Sequence, residues 1–162
     1  MQKRLIHPRT VLILVLALSP LPLFTSISAA AAQAAQDKAK PLYARLGGYD
    51  AIAAVVDDFF GRMMKDAQLG RFFANLSDDS KKRARQLTVD LLCKVTGGPC
   101  FYIGRDMSNA HKGMGINEGD WDQSVKLLKE TLNKFKVPER EQGEVLQAIS
   151  GLKKDIVEVG KK

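Results

Sequence analysis

Apolar side chains recur at three- and four-residue steps through almost all of the chain beyond residue 41, and no stretch alternates with period two for long enough to make a strand. That regularity restricts the fold to packed helices, each with one apolar face. Ile52, Val55, Val56, Phe59, Phe60 and Met63 mark an amphipathic helix over Tyr49 to Lys65. Ala84, Thr88, Leu91, Leu92 and Val95 mark a second, starting near Ser77-Asp78-Asp79, whose short polar side chains can accept from the first free amides. Trp121, Val125, Leu128, Leu132 and Phe135 mark a third, with Asn117 as its cap and Asp120 three residues on. Val145, Ile149, Leu152, Ile156 and Val159 mark a fourth, opened by Pro138 at a favoured first-turn position. Short helical turns are expected at 41–46 and 69–74. The fold class is all-α.

The front of the chain is different in kind. Residues 1–9 carry Lys3, Arg4 and Arg9 and no acid; an apolar run of about 14 residues (11–24) follows, then the small-residue stretch SISAAAAQAAQ. This order is that of a secretory signal peptide, residues 1–35, with cleavage expected at about Ala30 to Ala35. The run is short and broken by Pro20 and Pro22, whereas a membrane span needs roughly 20 apolar residues. The expected location is therefore an exported one, the bacterial periplasm, with no stable membrane insertion after cleavage. The alternative is an uncleaved segment that anchors the protein. Residues 36–162 form one domain, with its core at about 41–159.

Removal of the leader takes three of the positives behind the formal charge of +7 and leaves +4. The remaining lysines are scattered among acids, with no basic stripe interleaved with aromatics, so nucleic acid is not an expected partner. Cys93 and Cys100 are the two cysteines. In an oxidising compartment they can close a disulfide; in a reducing one they would be two partly buried thiols. Export favours the bridge. The absence of C-x-x-C and C-x-x-C-H speaks against a redox dithiol and against covalently attached c-type haem.

His7 lies in the leader, so His111 is the sole histidine of the mature domain. It stands in the least regular stretch, Gly97 to Asn117, flanked by Gly113 and Gly115. A lone histidine is usually an ordinary surface or core residue. No second His, acid pair or Cys cluster is near it in sequence, which disfavours zinc. No nucleophile–base–orienter set is apparent either. One neutral imidazole among broad apolar helix faces does suit haem iron, which accepts a single proximal histidine while the porphyrin fills an apolar slot.

LYARLGGYDAI (42–52), VDDFFGRMMKD (56–66), LGRFFANL (69–76), TGGP (96–99) and MSNAHKGMGI (107–116) resemble, in order and separation, the truncated haemoglobins of the first group. The resemblance covers about Pro41 to Val159. It implies a two-over-two helical sandwich with b-type, non-covalent haem. His111 then corresponds to the proximal iron ligand, Phe73 to a residue packed on the haem face, and Met107 and Ile116 to proximal lining. Leu91, Leu92 and Tyr102 correspond to further residues against the ring. Ordinary core packing accounts for these apolar positions equally well. Other exported relatives resemble this chain in the spacing of Cys93 and Cys100.

The distal side departs from the family pattern. Where many relatives have Phe-Tyr, this chain has Phe59-Phe60, so the hydroxyl that donates to bound oxygen is missing. The positions matching the family's other pocket residues hold Ala84 and Thr88, which leaves Thr88 as the best donor and Gln86 as a weaker one. A two-histidine closed form cannot occur, and Lys81 or Lys82 could close the iron's sixth position only by leaving water. The implied function is reversible binding of a diatomic gas: oxygen, nitric oxide or carbon monoxide. Two alternatives stand beside it. One is a haem-dependent nitric oxide dioxygenase or peroxidase-like enzyme, which would need an external reductase. The other is a cofactor-free exported helical module that docks on another protein.

Overall fold

The computed structural model describes residues 39–158. The leader and Val159 lie outside the described residues. In chain order the elements are α1 (Leu42–Arg45), α2 (Gly48–Lys65), a 3-10 turn (Gly70–Phe72), α3 (Asp78–Val95), α4 (Met107–His111), α5 (Glu118–Lys134), α6 (Glu139–Ser150) and α7 (Lys153–Ile156). No strand occurs among the described residues.

Local chemistry sets the helix starts. Ser77 Oγ accepts from the Ser80 amide at 3.2 Å, and Asp78 and Asp79 place negative charge against the positive end of α3. Asn117 and Asp120 cap α5 reciprocally: the Asp120 amide donates to Asn117 Oδ1 at 3.0 Å, and the Asn117 amide to Asp120 Oδ2 at 3.1 Å. Pro138 sits one place earlier than expected, at the cap of α6 with ψ of 148°. The expected fourth helix is broken. Gly151 and Leu152 interrupt it as a turn, so that α7 leaves the line of α6 and packs against α4 instead.

Helix α2 packs against α3 on one side and α5 on another, and α5 packs on α6. The stripe Ile52, Val56 and Phe60 meets Val89 and Cys93 of α3 in one buried cluster. Leu128 and Leu132 of α5 meet Val145 of α6 in a second, against which Val55 and Phe59 of α2 also pack. Val56 and Val89 are wholly inaccessible, and burying such a side chain contributes roughly 1.5 kcal/mol or more. Arg45, itself buried, pairs with Glu141 and Glu144 and ties α1 to α6.

Asp58, near the middle of α2, pairs with Arg62 at 2.6 Å and with Lys134 of α5, and accepts from Thr131 Oγ1 at 3.1 Å. Arg62 first, then Lys134, hold its carboxyl down to about 2, against the cost of burial. A carboxylate lowered on folding stabilises the fold above the unfolded value near pH 4, and that contribution is lost as pH falls through the folded value near 2. Wild-type stability is expected to drop by about 2 kcal/mol across that window on account of this group. In Asp58→Asn the drop should be smaller by that amount, as measured by urea midpoints at successive pH values.

Candidate functional site

His111 is the last residue of α4. Asp106 starts this helix by accepting from the Asn109 amide at 2.9 Å and from Asn109 Nδ2 at 2.7 Å. His111 Nδ1 lies 2.9 Å from the Met107 carbonyl oxygen, one turn back. A carbonyl can only accept, so Nδ1 is the donor here and Nε2 is the ring nitrogen left for another partner. The ring is half-buried, as is Met107, while Ile116 beyond the glycines is buried. Among the described residues no group of three His, Cys, Asp or Glu side chains is placed to hold a metal ion.

Phe59, Phe60, Phe73, Ala84 and Leu92 come together in the apolar cluster between α2 and α3. Phe60 meets Phe73 edge to face, with ring centroids 5.8 Å apart, and Phe59 at 6.4 Å. Ala84, Thr88, Leu91 and Leu92 follow the helical repeat and so share one face of α3, although Leu91 and Thr88 belong to neither buried cluster. Tyr102 is half-buried and donates its hydroxyl to the Arg105 carbonyl at 2.6 Å. Burial and the neighbouring Asp106 push that phenol up from its usual value.

The expected distal donors are otherwise engaged. Thr88 Oγ1 donates to the Ala84 carbonyl at 2.9 Å, so it serves a ligand only by giving up that bond. Gln86 is exposed, and its amide donates to Tyr49 Oη at 2.6 Å and Asp90 Oδ1 at 3.0 Å. Lys81 and Lys82 each stand 3.6 Å from an acid on their own helix, Asp78 and Asp79. Together with Asp57, Phe60, Met64, Arg83, Arg85 and Gln86 they line an open cleft of about 850 Å³. Met64, one turn beyond Phe60 on α2, also stands on this wall, and its spacing from Phe60 is the sequence signal for it.

Cys93 and Cys100 are joined in a disulfide, with their Cα atoms 5.8 Å apart. The bridge spans the turn that ends α3. There Gly98 approaches so closely that a Cβ would lie 2.5 Å from the Tyr43 ring and 2.6 Å from the Cys93 sulfur. The Gly98 amide donates to the Cys93 carbonyl at 2.8 Å, and the Tyr43 amide to that of Thr96 at 2.8 Å. The turn is thus held by contacts as well as by the bond. With only seven residues of separation, reduction is expected to cost about 2 kcal/mol, read as a lower urea midpoint.

The prosthetic group that the sequence resemblance implies needs one neutral imidazole nitrogen with a free lone pair and a set of apolar side chains not already closed upon one another. His111 Nε2 meets the first need. Half-buried Phe59, Phe73, Leu91, Leu92 and Met107 meet the second, because their apolar surface is only partly used by the protein itself.

The bacterial-like globin family model matches residues 41–158. The group 1 truncated hemoglobin of Tetrahymena pyriformis is 30% identical over 121 residues, covering 75% of this chain and 98% of that protein. That of Mycolicibacterium paratuberculosis is 33% identical over 128 residues, covering 76% of this chain and 92% of its own. The Fe(III) crystal structure of the Tetrahymena protein superposes with a TM-score of 0.68, covering 73% of this chain and 98% of that one. The 2/2 hemoglobin of Synechococcus, in a cyanomet form with covalently attached heme, is 26% identical with a TM-score of 0.67 over 73% of this chain and 98% of its own. On this helix order, match and coverage, the chain belongs to the bacterial-like globin family as a group 1 truncated haemoglobin.

Proposed function

We propose that Nε2 of His111 is the iron ligand of this haem-binding, gas-binding globin, and that the chain holds oxygen, nitric oxide or carbon monoxide reversibly. The observation that carries the reading is the hydrogen bond from His111 Nδ1 to the Met107 carbonyl, which leaves Nε2 as the ring nitrogen open to a metal and fixes the ring about its own helix. When bound, haem supplies an iron centre with a coordination position for a small gas. The protein's part is to hold and shield that centre. Phe73, Leu91, Leu92, Tyr102, Met107 and Ile116 supply apolar surface that excludes water. Phe59, Phe60, Ala84 and Thr88 are the residues proposed to bound the gas.

Phe60 offers this gas no proton. A hydrogen bond to a polar ligand contributes roughly 0.5–1.5 kcal/mol, so Phe60→Tyr is expected to slow oxygen release by about tenfold at the upper end of that range. Carbon monoxide release should change less, because that ligand is less polar. Stopped-flow displacement measures both; equal rates in wild type and variant would remove Phe60 from the pocket. A binder should react with nitric oxide once, in stoichiometric amount. Sustained consumption in the presence of a reductase would move the reading to a dioxygenase.

The proposed setting is the bacterial periplasm. Support comes from the charged, apolar and small-residue order of residues 1–35 and from the Cys93–Cys100 bridge, since disulfides persist in oxidising compartments. No helix among the described residues is long and apolar enough to cross a membrane. The amino-terminal sequence of the protein recovered from cells tests this reading, with a start between residues 31 and 36 expected and an intact Met1 overturning it.

A further inference from the structure

We propose that Glu158 is a positioning residue that sets the pose of His111 by gripping the loop behind it. The inference rests on the reading of His111 as the iron ligand. Helix α4 has five residues, whereas an isolated helix needs about 12–15 to persist, so outside contacts must hold it. Asp106 holds its first turn. At the other end the chain leaves the helix at Lys112, with ψ of 127°.

The chain then reverses through Gly113 and Gly115, at φ of 80° and 66°. A Cβ at either position would meet no atom within 4 Å, so the demand for glycine there is conformational and not steric. That conformation aims two amides at one carboxylate. The Gly113 amide donates to Glu158 Oε1 at 2.6 Å, and the Gly115 amide to Oε2 at 2.7 Å. Successive backbone amides arranged in this way form a concave anion site, and bonds to an ionised acceptor are roughly twice as strong as neutral ones. The Glu158 amide in turn donates to the Ile116 carbonyl at 2.9 Å. Residue 158 is therefore tied by three bonds to the segment 113–116. Val157 beside it is buried, and α7 packs on α4. His111 is held from one side by Met107 and from the other by a loop that Glu158 closes across 43 and 45 residues of chain.

Aspartate at 158 keeps the charge with a shorter reach. Glutamine keeps one accepting oxygen and turns an NH2 group towards a donor. Alanine removes the grip. In the haem-loaded protein, Glu158→Gln and Glu158→Ala are expected to shift and broaden the ferrous iron–histidine stretching band in resonance Raman spectra. They should also speed haem transfer to an acceptor apoglobin by about tenfold, the low end of the range for loss of a direct outer partner, since Glu158 acts on His111 through the loop. Glu158→Asp should lie between these and wild type. In the haem-free protein, hydrogen exchange at the Gly113 and Gly115 amides should accelerate in the same order. A lower melting temperature with an unmoved band and unchanged haem transfer would show a merely structural contact and overturn the proposal, as would unchanged exchange at the two glycines. Should the alanine variant not fold, Glu158→Gln carries the same test. The wild-type band and its loss in His111→Ala report separately on the ligand assignment, so its failure is distinguishable from failure of the Glu158 grip.

Discussion

Replacing His111 by alanine is expected to abolish the five-coordinate ferrous spectrum and the normal carbonmonoxy spectrum of the haem-loaded protein, while the helical fold survives. The chain contains two histidines, and the other, His7, precedes the domain, so no imidazole stands by to take over. The loss of a direct iron ligand should exceed the 10–100-fold that follows from loss of an outer partner, so haem affinity is expected to fall by more than about 100-fold. The fold should hardly notice. His111 is half-buried, and its hydrogen bond runs to its own helix, a local contact of the sort that contributes about 1 kcal/mol. Imidazole added to the variant should restore much of the spectrum by entering the space that the side chain vacates. Absorption in the ferric, ferrous and carbonmonoxy states reads all of this. A variant with wild-type spectra in all three would place the iron ligand elsewhere.

Asp120→Ala should have the opposite profile, a large loss of stability with intact haem chemistry in whatever protein remains folded. The Asp120 side chain is 1% exposed. It accepts from Gln68 Nε2 at 2.8 Å, from the Asn117 amide at 3.1 Å, and pairs with Arg71 at 2.7 Å. Burial works to raise its carboxyl, yet Gln68, the Asn117 amide and Arg71 together bring it below the usual carboxylate value. Truncation removes half of the α5 capping box and strands three donors. A lost cap costs about 1 kcal/mol and an orphaned buried donor about 1–3 kcal/mol. Gln68 and Arg71 are exposed and can return to water, so their shares are small. A loss of about 2 kcal/mol is expected, which lowers the melting temperature of a domain this size by about 7 °C. Asp120→Asn keeps one acceptor and should lose less. A melting temperature within a degree or two of wild type for the alanine variant would show that the α5 start is held by other contacts.

Much of this fold is legible in the sequence. The three long helices carry unbroken apolar repeats with Ser77 and Asn117 as caps, and such signals are local: a side chain speaks to an amide two or three residues on. The irregularity around His111 was readable from its glycines: a five-residue helix ends there and the chain turns at Gly113 and Gly115. The break at Gly151 was not readable. The apolar period runs through it, and the turn is favoured only because α7 then reaches α4. The contacts of Asp120 with Gln68 and Arg71 and the grip of Glu158 were equally hidden, since they join residues 43 to 52 apart. The engagement of Thr88 with Ala84 is local, but a threonine inside a helix can bond back or point outwards, and spacing does not decide between the two.

One helix, α2, sends Ile52, Val56 and Phe60 into the first apolar cluster and Val55 and Phe59 into the second. The two layers consequently have no seam along which they can part. Pulling α3 away strips one side of α2, and pulling α5 and α6 away strips the other, so neither layer is left with a complete core of its own. Such sharing makes melting a single cooperative event and leaves partly unfolded forms scarce. For a small domain that retains a non-covalent passenger, that scarcity closes the escape routes that open only when half of a structure comes apart.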